Sequence, residues 1–417
     1  MKCKLSPRGI TEYLLMLLIF INGQSVWIWS IGGNPFIRLA CVAIALSAVL
    51  LICYRYVSRD TFFKCALIFA YLFAYLVATI NTSYRVQYCV RFLLVFPLFF
   101  LIADNVWRSG RVKQFALKFA DIVFVFSLIS VIFYLFGTVL DALPKSVDTY
   151  EWARDIKTTV NYYHLMYEAQ TSEILGVTVI RNCGIFAEAP SYAVPLILAL
   201  FLELFIRERA SKIRIIILML TIITSFSSKA TGIALVVAAL KLCSDFYFSR
   251  KPIKGWKRIL KLFLPVAILF SAAVALQIVA AKIDTDSGFM RVDNIYTGWN
   301  AFRANPLLGV GFENEDALNA YAQYMTSSGG LAMGIPVLIG EGGVYLTLFY
   351  IYAMARFIKN MQNKPLAISF VITHLLILFT SNIPYFLSTM MILALEFATP
   401  SQKKWEKSRE NLLEKEV

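Results

Sequence analysis

The stretch Leu39–Tyr54, LACVAIALSAVLLICY, carries no charge, and its apolar residues are continuous rather than alternating. Continuity selects a helix over a barrel strand. In lipid no water is at hand for backbone N–H and C=O groups, so a spanning segment must satisfy them itself, as a helix does. Runs of the same kind recur along the chain, and the composition follows suit. Of 417 residues 59% are hydrophobic and 16% charged, against about 25% charged in an ordinary soluble domain. The fold class expected is all-α: a polytopic membrane protein of about 12 helices, one transmembrane domain over residues 1–417.

At roughly 20 apolar residues per crossing, spans fall near residues 10–30, 36–57, 62–80, 89–104, 115–137 and 189–206. A second set lies near 213–227, 230–248, 259–281, 331–355, 365–381 and 384–398, the last two readable as one helix broken around Asn382 and Pro384. The first apolar segment, Ile10 to Ile31, is too long for a signal h-region and has no small-residue cleavage site, so it reads as a retained span. Charge on alternate connections sets the orientation. One side collects 28 of the 40 Lys and Arg residues, including Arg108, Arg111, Lys113, Lys118 and the six basic residues of Arg250–Lys261. By the positive-inside rule this side is cytoplasmic, and with it go both chain ends and the mixed-charge tail 399–417. The opposite side holds 11 basic and 14 acidic residues, mostly in two long loops, 138–188 and 282–330, which are therefore expected to be extracytoplasmic.

The net charge of +14 thus reflects topology rather than nucleic-acid binding. Seven cysteines lie scattered, with no disulfide framework or metal spacing. There is no Walker loop, dinucleotide fingerprint or HExxH, and only two histidines are present, His164 and His374; neither a cofactor nor a metal is expected. Chemistry is to be sought where charge stands at the outer ends of helices or in the outer loops.

Four places qualify. In RNCGIFAEAPSYAVPLILAL, Arg181 and Glu188 flank a short apolar stretch and EAPS reads as a helix start with Pro190 in its first turn. This is either an ion pair and cap, or an anion ligand with Glu188 as its orienting partner or as a base. In SFSSKATGIALVVAAL, Lys229 sits at the N-terminal end of a helix, where it can snorkel to the interface or add its charge to that of the helix dipole to attract an anion. In SGFMRVDNIYTGWNAFRANPLLGVGFENE, Arg291 and Arg303 stand among Tyr296, Trp299 and Phe302, a mix suited to phosphate and sugar rings and equally to an interfacial belt. The glycines of NPLLGVGF predict a fixed re-entrant turn. Finally, the aromatic loop Tyr150 to Glu173, with Trp152, Tyr162, Tyr163, His164 and Tyr167, reads as an amphipathic helix on the outer surface or as a glycan platform.

Taken together these segments resemble the O-antigen polymerase and ligase superfamily of bacterial membranes. RNCGIFAEAPSYA is similar to the Arg-x-x-Gly-x-Phe-x-Glu-x-x-Ser stretch of Wzy-type polysaccharide polymerases. SFSSKATG is similar to that family's T-x-S-R-x-G helix start, with Lys229 in the arginine position. RVDNIYTGWNAFRANPLLGVGFEN resembles its Arg, Trp and P-L-L-G-x-G element, and LIGEGGVYLTLFYIY, with Glu341, its E-x-G helix. The order matches over roughly residues 175–360; the first 130 residues match only as generic spans.

The resemblance implies a metal-independent glycosyltransferase of the bacterial cytoplasmic membrane that uses an undecaprenyl diphosphate-linked donor at the outer leaflet. It carries diphosphate-binding roles over to Lys229, Arg291 and Arg181; Glu188 is expected beside them as a catalytic residue, and Arg303, Trp299, Tyr296 and Glu341 are expected against substrate. Membrane lipid, a chain-length regulator and a flippase are the expected partners. Ligases of the superfamily carry a histidine ahead of the E-x-G helix; AQYMTSSGGLAMGIPVLIGEGG has none, which favours a repeat-unit polymerase over a ligase. A lipid-linked glycan flippase or transporter would instead place its charges along the bilayer midplane. For the base, Glu188, Glu341, Asp293 and His164 remain open.

Overall fold

The computed structural model describes residues 6–30, 35–54, 57–152, 155–174, 176–248, 286–323 and 331–401. The expected span 259–281, the basic loop ahead of it and most of the tail lie outside the described residues. The chain is mostly helical, with few strands. Its helices are α1 Pro7–Ile21, α2 Val26–Trp29, α3 Pro35–Tyr54, α4 Arg59–Ala78, α5 Arg85–Tyr88, α6 Phe96–Arg108 and α7 Val112–Phe133. They continue as α8 Ala189–Phe205, α9 Lys212–Thr224, α10 Ser228–Tyr247, α11 Asp286–Ala304, α12 Glu315–Asn319, α13 Gly334–Asn360, α14 Lys364–Thr380 and α15 Leu387–Ala398. Among the described residues six helical stretches are long and apolar enough to cross a membrane: Phe36–Tyr54, Arg59–Ala78, Arg85–Arg108, Val112–Val139, Ser228–Tyr247 and Gly334–Asn360. Three shorter apolar helices, α8, α14 and α15, pack among them. The last two are separate helices joined through residues 381–386, where Pro384 interrupts the ladder.

Local sequence explains the helix ends. Ser6, Ser58 and Asn363 each accept a hydrogen bond from a backbone N–H three residues on, and proline follows in the first turn of α1 and α14. Carboxylates at the starts of α1 and α4 and the ends of α6 and α8 are neutralised in place. Glu12, fully buried, receives Arg111 at 3.2 Å, Lys118 and the Tyr54 hydroxyl. Asp104 pairs with Arg108 at 2.5 Å. Glu203 binds Arg207 and Arg214, each at 2.7 Å, and both arginines also reach Asp121. His374 is buried within α14 and faces Glu396 at 3.2 Å.

The opposite end of the bundle carries the connection 138–188, and here the structure departs from a surface helix. Strands β1 Ser146–Trp152, β2 Asp155–Tyr162 and β3 Met166–Tyr167 form an antiparallel sheet, with Ser146 opposite Asn161 and Trp152 opposite Asp155. β4 Thr171–Ile174 and β5 Val177–Ile180 form a second pair. SVDTYEW and DIKTTVNY are rich in β-branched and aromatic residues, and Tyr150 and Trp152, two apart, share the buried face. A period of two cannot supply the stripe a helix needs. Tyr163 and His164 turn the chain between β2 and β3 with left-handed φ of 53° and 57°.

The NPLLGVGF turn docks into a break in α13. Gly343 (φ 55°, ψ −157°) interrupts that helix, and the freed carbonyls of Gly340 and Glu341 accept Val310 N–H at 2.9 Å and Gly311 N–H at 3.1 Å. Val344 and Tyr345 N–H turn to the carbonyls of Pro306 and Leu307. Irregular backbone is tolerated at such depth only when protein re-satisfies it. The glycines are what allow the approach: a Cβ on Gly309 (φ 68°) would lie 2.4 Å from the Glu341 backbone.

Candidate functional site

At the sheet end of the bundle three segments place cations near enough for their charges to act on one lysine. The segment after β5 runs into α8, whose N-cap is Glu188. It is stitched to the start of α1's connection by Val26 N–H to Ile185 C=O at 2.8 Å and Ala187 N–H to Gln24 C=O at 3.1 Å. Arg181, 9% exposed, is fixed from two sides: Nε donates to Ser225 C=O and Nη1 to Gln170 Oε1, both at 2.9 Å. Gln170 Oε1 also accepts the first N–H of α8, from Ala189 at 3.3 Å.

Ser225 belongs to the α9–α10 turn, so the carbonyl that holds Arg181 lies four residues from Lys229 in the first turn of α10. Lys229 Nζ donates to Thr380 C=O at 3.1 Å and to Ser381 Oγ at 2.8 Å, at the α14–α15 connection. The charges that act on the ammonium are Arg291 from α11, then Glu188, then Arg181. Sequence segments over a hundred residues apart thus converge on one lysine.

What sets this group apart is its lack of ion pairs. At the other end every buried carboxylate described above except Glu396 meets a lysine or arginine. Among the described residues, by contrast, no carboxylate lies within 4.0 Å of Arg181, Lys229 or Arg291, and Glu188 accepts no side-chain hydrogen bond. Burial pulls the Arg181 guanidinium below its ordinary range, with Cys183 and Glu188 opposing the shift. Like charges held together without counter-charges repel, by up to about 1 kcal/mol per pair at 4 Å even in water. An anion between them would relieve that repulsion.

The remaining expected residues fall elsewhere. On α11 the buried face, Asn294, Thr297, Gly298 and Ala301, packs on α13, while Tyr296, Trp299 and Arg303 are exposed. Trp299 stacks on Phe302 at 5.6 Å. Arg303 stands twelve residues along α11 from Arg291, about 18 Å at 1.5 Å per residue, so it is not part of the cation group. Glu341 is not brought to the group either. It is 2% exposed in the break of α13 and accepts the Glu313 N–H at 3.1 Å, so it is walled in rather than open to substrate. His164 pairs with Asp148 at 2.7 Å in the sheet, and Asp293 Oδ1 caps Gln323 N–H at 2.8 Å. Of the four candidate bases only Glu188 acts on Lys229.

Sequence reasoning passed over Arg91 and Glu313. Arg91 lies in a π-helical stretch, Cys89–Val95, between α5 and α6, and forms a part-buried ion pair with Glu313. Its guanidinium stands over the rings of Phe36 at 5.3 Å and Phe312 at 6.0 Å. A cation inside the apolar run YCVRFLLVF was the available signal. Gln170 carried no such signal. Among the described residues no group of three or more His, Cys, Asp or Glu is placed to hold a metal. Comparison with known proteins finds no matching family model, no matching curated protein and no matching solved structure.

Proposed function

We propose that the chain is a polymerase that joins undecaprenyl diphosphate-linked oligosaccharide repeat units of a surface polysaccharide. In this reading it sits in a bacterial cytoplasmic membrane with twelve spans, both ends in the cytoplasm and the loops 138–188 and 282–330 outside. The observation that carries the proposal is the group Arg181, Lys229 and Arg291 around Glu188, none of them in an ion pair among the described residues, at the end of the bundle opposite the neutralised carboxylates. Two cations held by hydrogen bonds and a third on the exposed face of α11 suit the two charges of a sugar-linked diphosphate and the third that develops as it leaves, and the motif order from Arg181 to Glu341 agrees with the resemblance to Wzy-type polymerases.

The chemistry follows from charge. An acceptor hydroxyl attacks the anomeric carbon of the donor sugar and passes its proton to the Glu188 carboxylate. The bond from that carbon to the diphosphate oxygen breaks, and the electron pair leaves with undecaprenyl diphosphate, whose growing charge the three cations stabilise. Water can enter from the outer side, and lipid receives the polyprenyl chain.

A flippase would use the same lipid-linked substrate, so the test must separate the two. Cells lacking the chain are expected to accumulate single lipid-linked repeat units that an externally added glycan-modifying enzyme can reach in spheroplasts. Their surface glycan should be one repeat long. Units that accumulate but stay protected until the membrane is opened would overturn the polymerase reading in favour of translocation.

A further inference from the structure

Gln170 stands where the β4–β5 hairpin opens. The register that sets Thr171 opposite Ile180 makes Gln170 and Arg181 the next facing pair, and Arg181 N–H closes on Gln170 C=O at 2.9 Å. Facing residues of an antiparallel pair have Cβ atoms about 5 Å apart, close enough for a side-chain amide to meet a guanidinium. Here Gln170 Oε1 accepts Arg181 Nη1 at 2.9 Å and, with its second lone pair, Ala189 N–H at 3.3 Å. Ala189 opens α8 directly after its N-cap, Glu188. One neutral oxygen thus ties the guanidinium to the backbone that follows the carboxylate.

The neutrality of this acceptor is what matters. At the opposite end of the bundle Arg111, Arg207 and Arg214 are held by carboxylates that cancel their charge in place. Arg181 is held from two sides as well, but among the described residues only by neutral oxygens, Gln170 Oε1 and Ser225 C=O. Lys229 follows the same pattern with Thr380 C=O and Ser381 Oγ. A guanidinium carries five donors in a rigid fork. Two of these are used, and Nη2 donates to nothing among the described residues. A neutral acceptor fixes the fork and leaves its charge for an outside anion, whereas a carboxylate at position 170 would compete with that anion. Donors fixed in advance need no reorganisation when charge develops.

We propose that Gln170 is a positioning residue that orients Arg181 for the diphosphate and holds it in register with the start of α8, acting through the guanidinium rather than by touching substrate. This role rests on the reading of Arg181 as a diphosphate ligand, and it is measurable as anion binding without turnover.

The test uses the full-length chain in lipid nanodiscs with inorganic diphosphate as probe, and reads affinity and melting temperature on the same samples. Gln170→Met keeps the length and removes the acceptor. It is expected to weaken diphosphate binding about tenfold in the folded protein, the worth of one hydrogen bond to a charged group. In an Arg181→Gln background the same substitution should change affinity by no more than about twofold, because its effect passes through the guanidinium. Gln170→Glu keeps both acceptor contacts, so a residue that merely caps α8 would tolerate it. Here the added charge engages Arg181, and binding should fall about tenfold while the melting temperature holds or rises; this variant decides the matter if Gln170→Met folds poorly. Parental affinity in Gln170→Glu, or equal losses from Gln170→Met with and without Arg181, would assign Gln170 a structural role and overturn the inference. Weaker binding by Lys229→Ala would in that case leave the diphosphate reading standing. A parent protein that binds no diphosphate would overturn that reading and the role of Gln170 with it.

Discussion

Arg291→Ala is expected to lower kcat and kcat/KM together by about 10² or more, the loss of about 3 kcal/mol of charge stabilisation made chiefly in the transition state. Arg291 is exposed on α11 and forms no ion pair among the described residues, so its removal should leave folding intact and the effect should be one of turnover. Lys229→Ala should be at least as damaging. Lys229→Arg should keep substantial activity, because a guanidinium can still donate to Thr380 C=O and Ser381 Oγ, although it exchanges a compact ammonium for a planar fork. The assay is polymer formation by variants whose membrane level and melting temperature match the parent. Near-normal polymer from well-folded Arg291→Ala and Lys229→Ala proteins would remove the cation group from the reaction.

Arg91→Leu should act through folding. Arg91 is 6% exposed, and its loss strands the Glu313 carboxylate, which burial already raises above the usual carboxylate range. The Glu313 side chain is 24% exposed, so breaking the pair from one side should cost less than the about 3–5 kcal/mol of a fully buried one, still a sizeable part of the roughly 5–15 kcal/mol by which a domain is stable. Little folded protein is therefore expected in detergent. The double variant Arg91→Leu with Glu313→Gln should recover most of the melting temperature, since it removes the charge along with its partner. A single variant as stable as the parent, or a double variant no better than the single, would show that the pair does not hold the π-helical stretch against the Val310–Glu313 segment.

The two ends of the bundle were unequally legible from sequence. Long apolar runs marked the six long helices, because in lipid a span has few alternatives to a helix. The NPLLGVGF turn was legible through its glycines, and Gly309, Gly311 and Gly343 do all take positive φ where the turn enters α13. The sheet at 146–167 was not, because its aromatic residues suit a surface stripe equally well and only the two-residue period of SVDTYEW and KTTVNY distinguishes strands.

Within the candidate site, Glu188 and Lys229 stood out as charges at helix starts, and Arg181 and Arg291 as charges in the outer loops. Their meeting was not legible, since it depends on Ser225 C=O and on the α14–α15 connection, and carbonyls carry no sequence signal. Glu341 misled for a related reason: its E-x-G setting marks a break in α13, and in a break that the 305–313 turn fills, a side chain faces protein rather than substrate.

The central claim is that the unpaired cations stabilise a leaving diphosphate as repeat units are joined. Its most direct measurement supplies the purified chain in nanodiscs, without any other protein, with undecaprenyl diphosphate-linked repeat units, and counts both products. The account predicts a ladder of glycans with one undecaprenyl diphosphate released for each linkage formed, and the loss of both from Arg291→Ala. Intact substrate after incubation with well-folded protein, or units moved across the bilayer with neither ladder nor release, would contradict it.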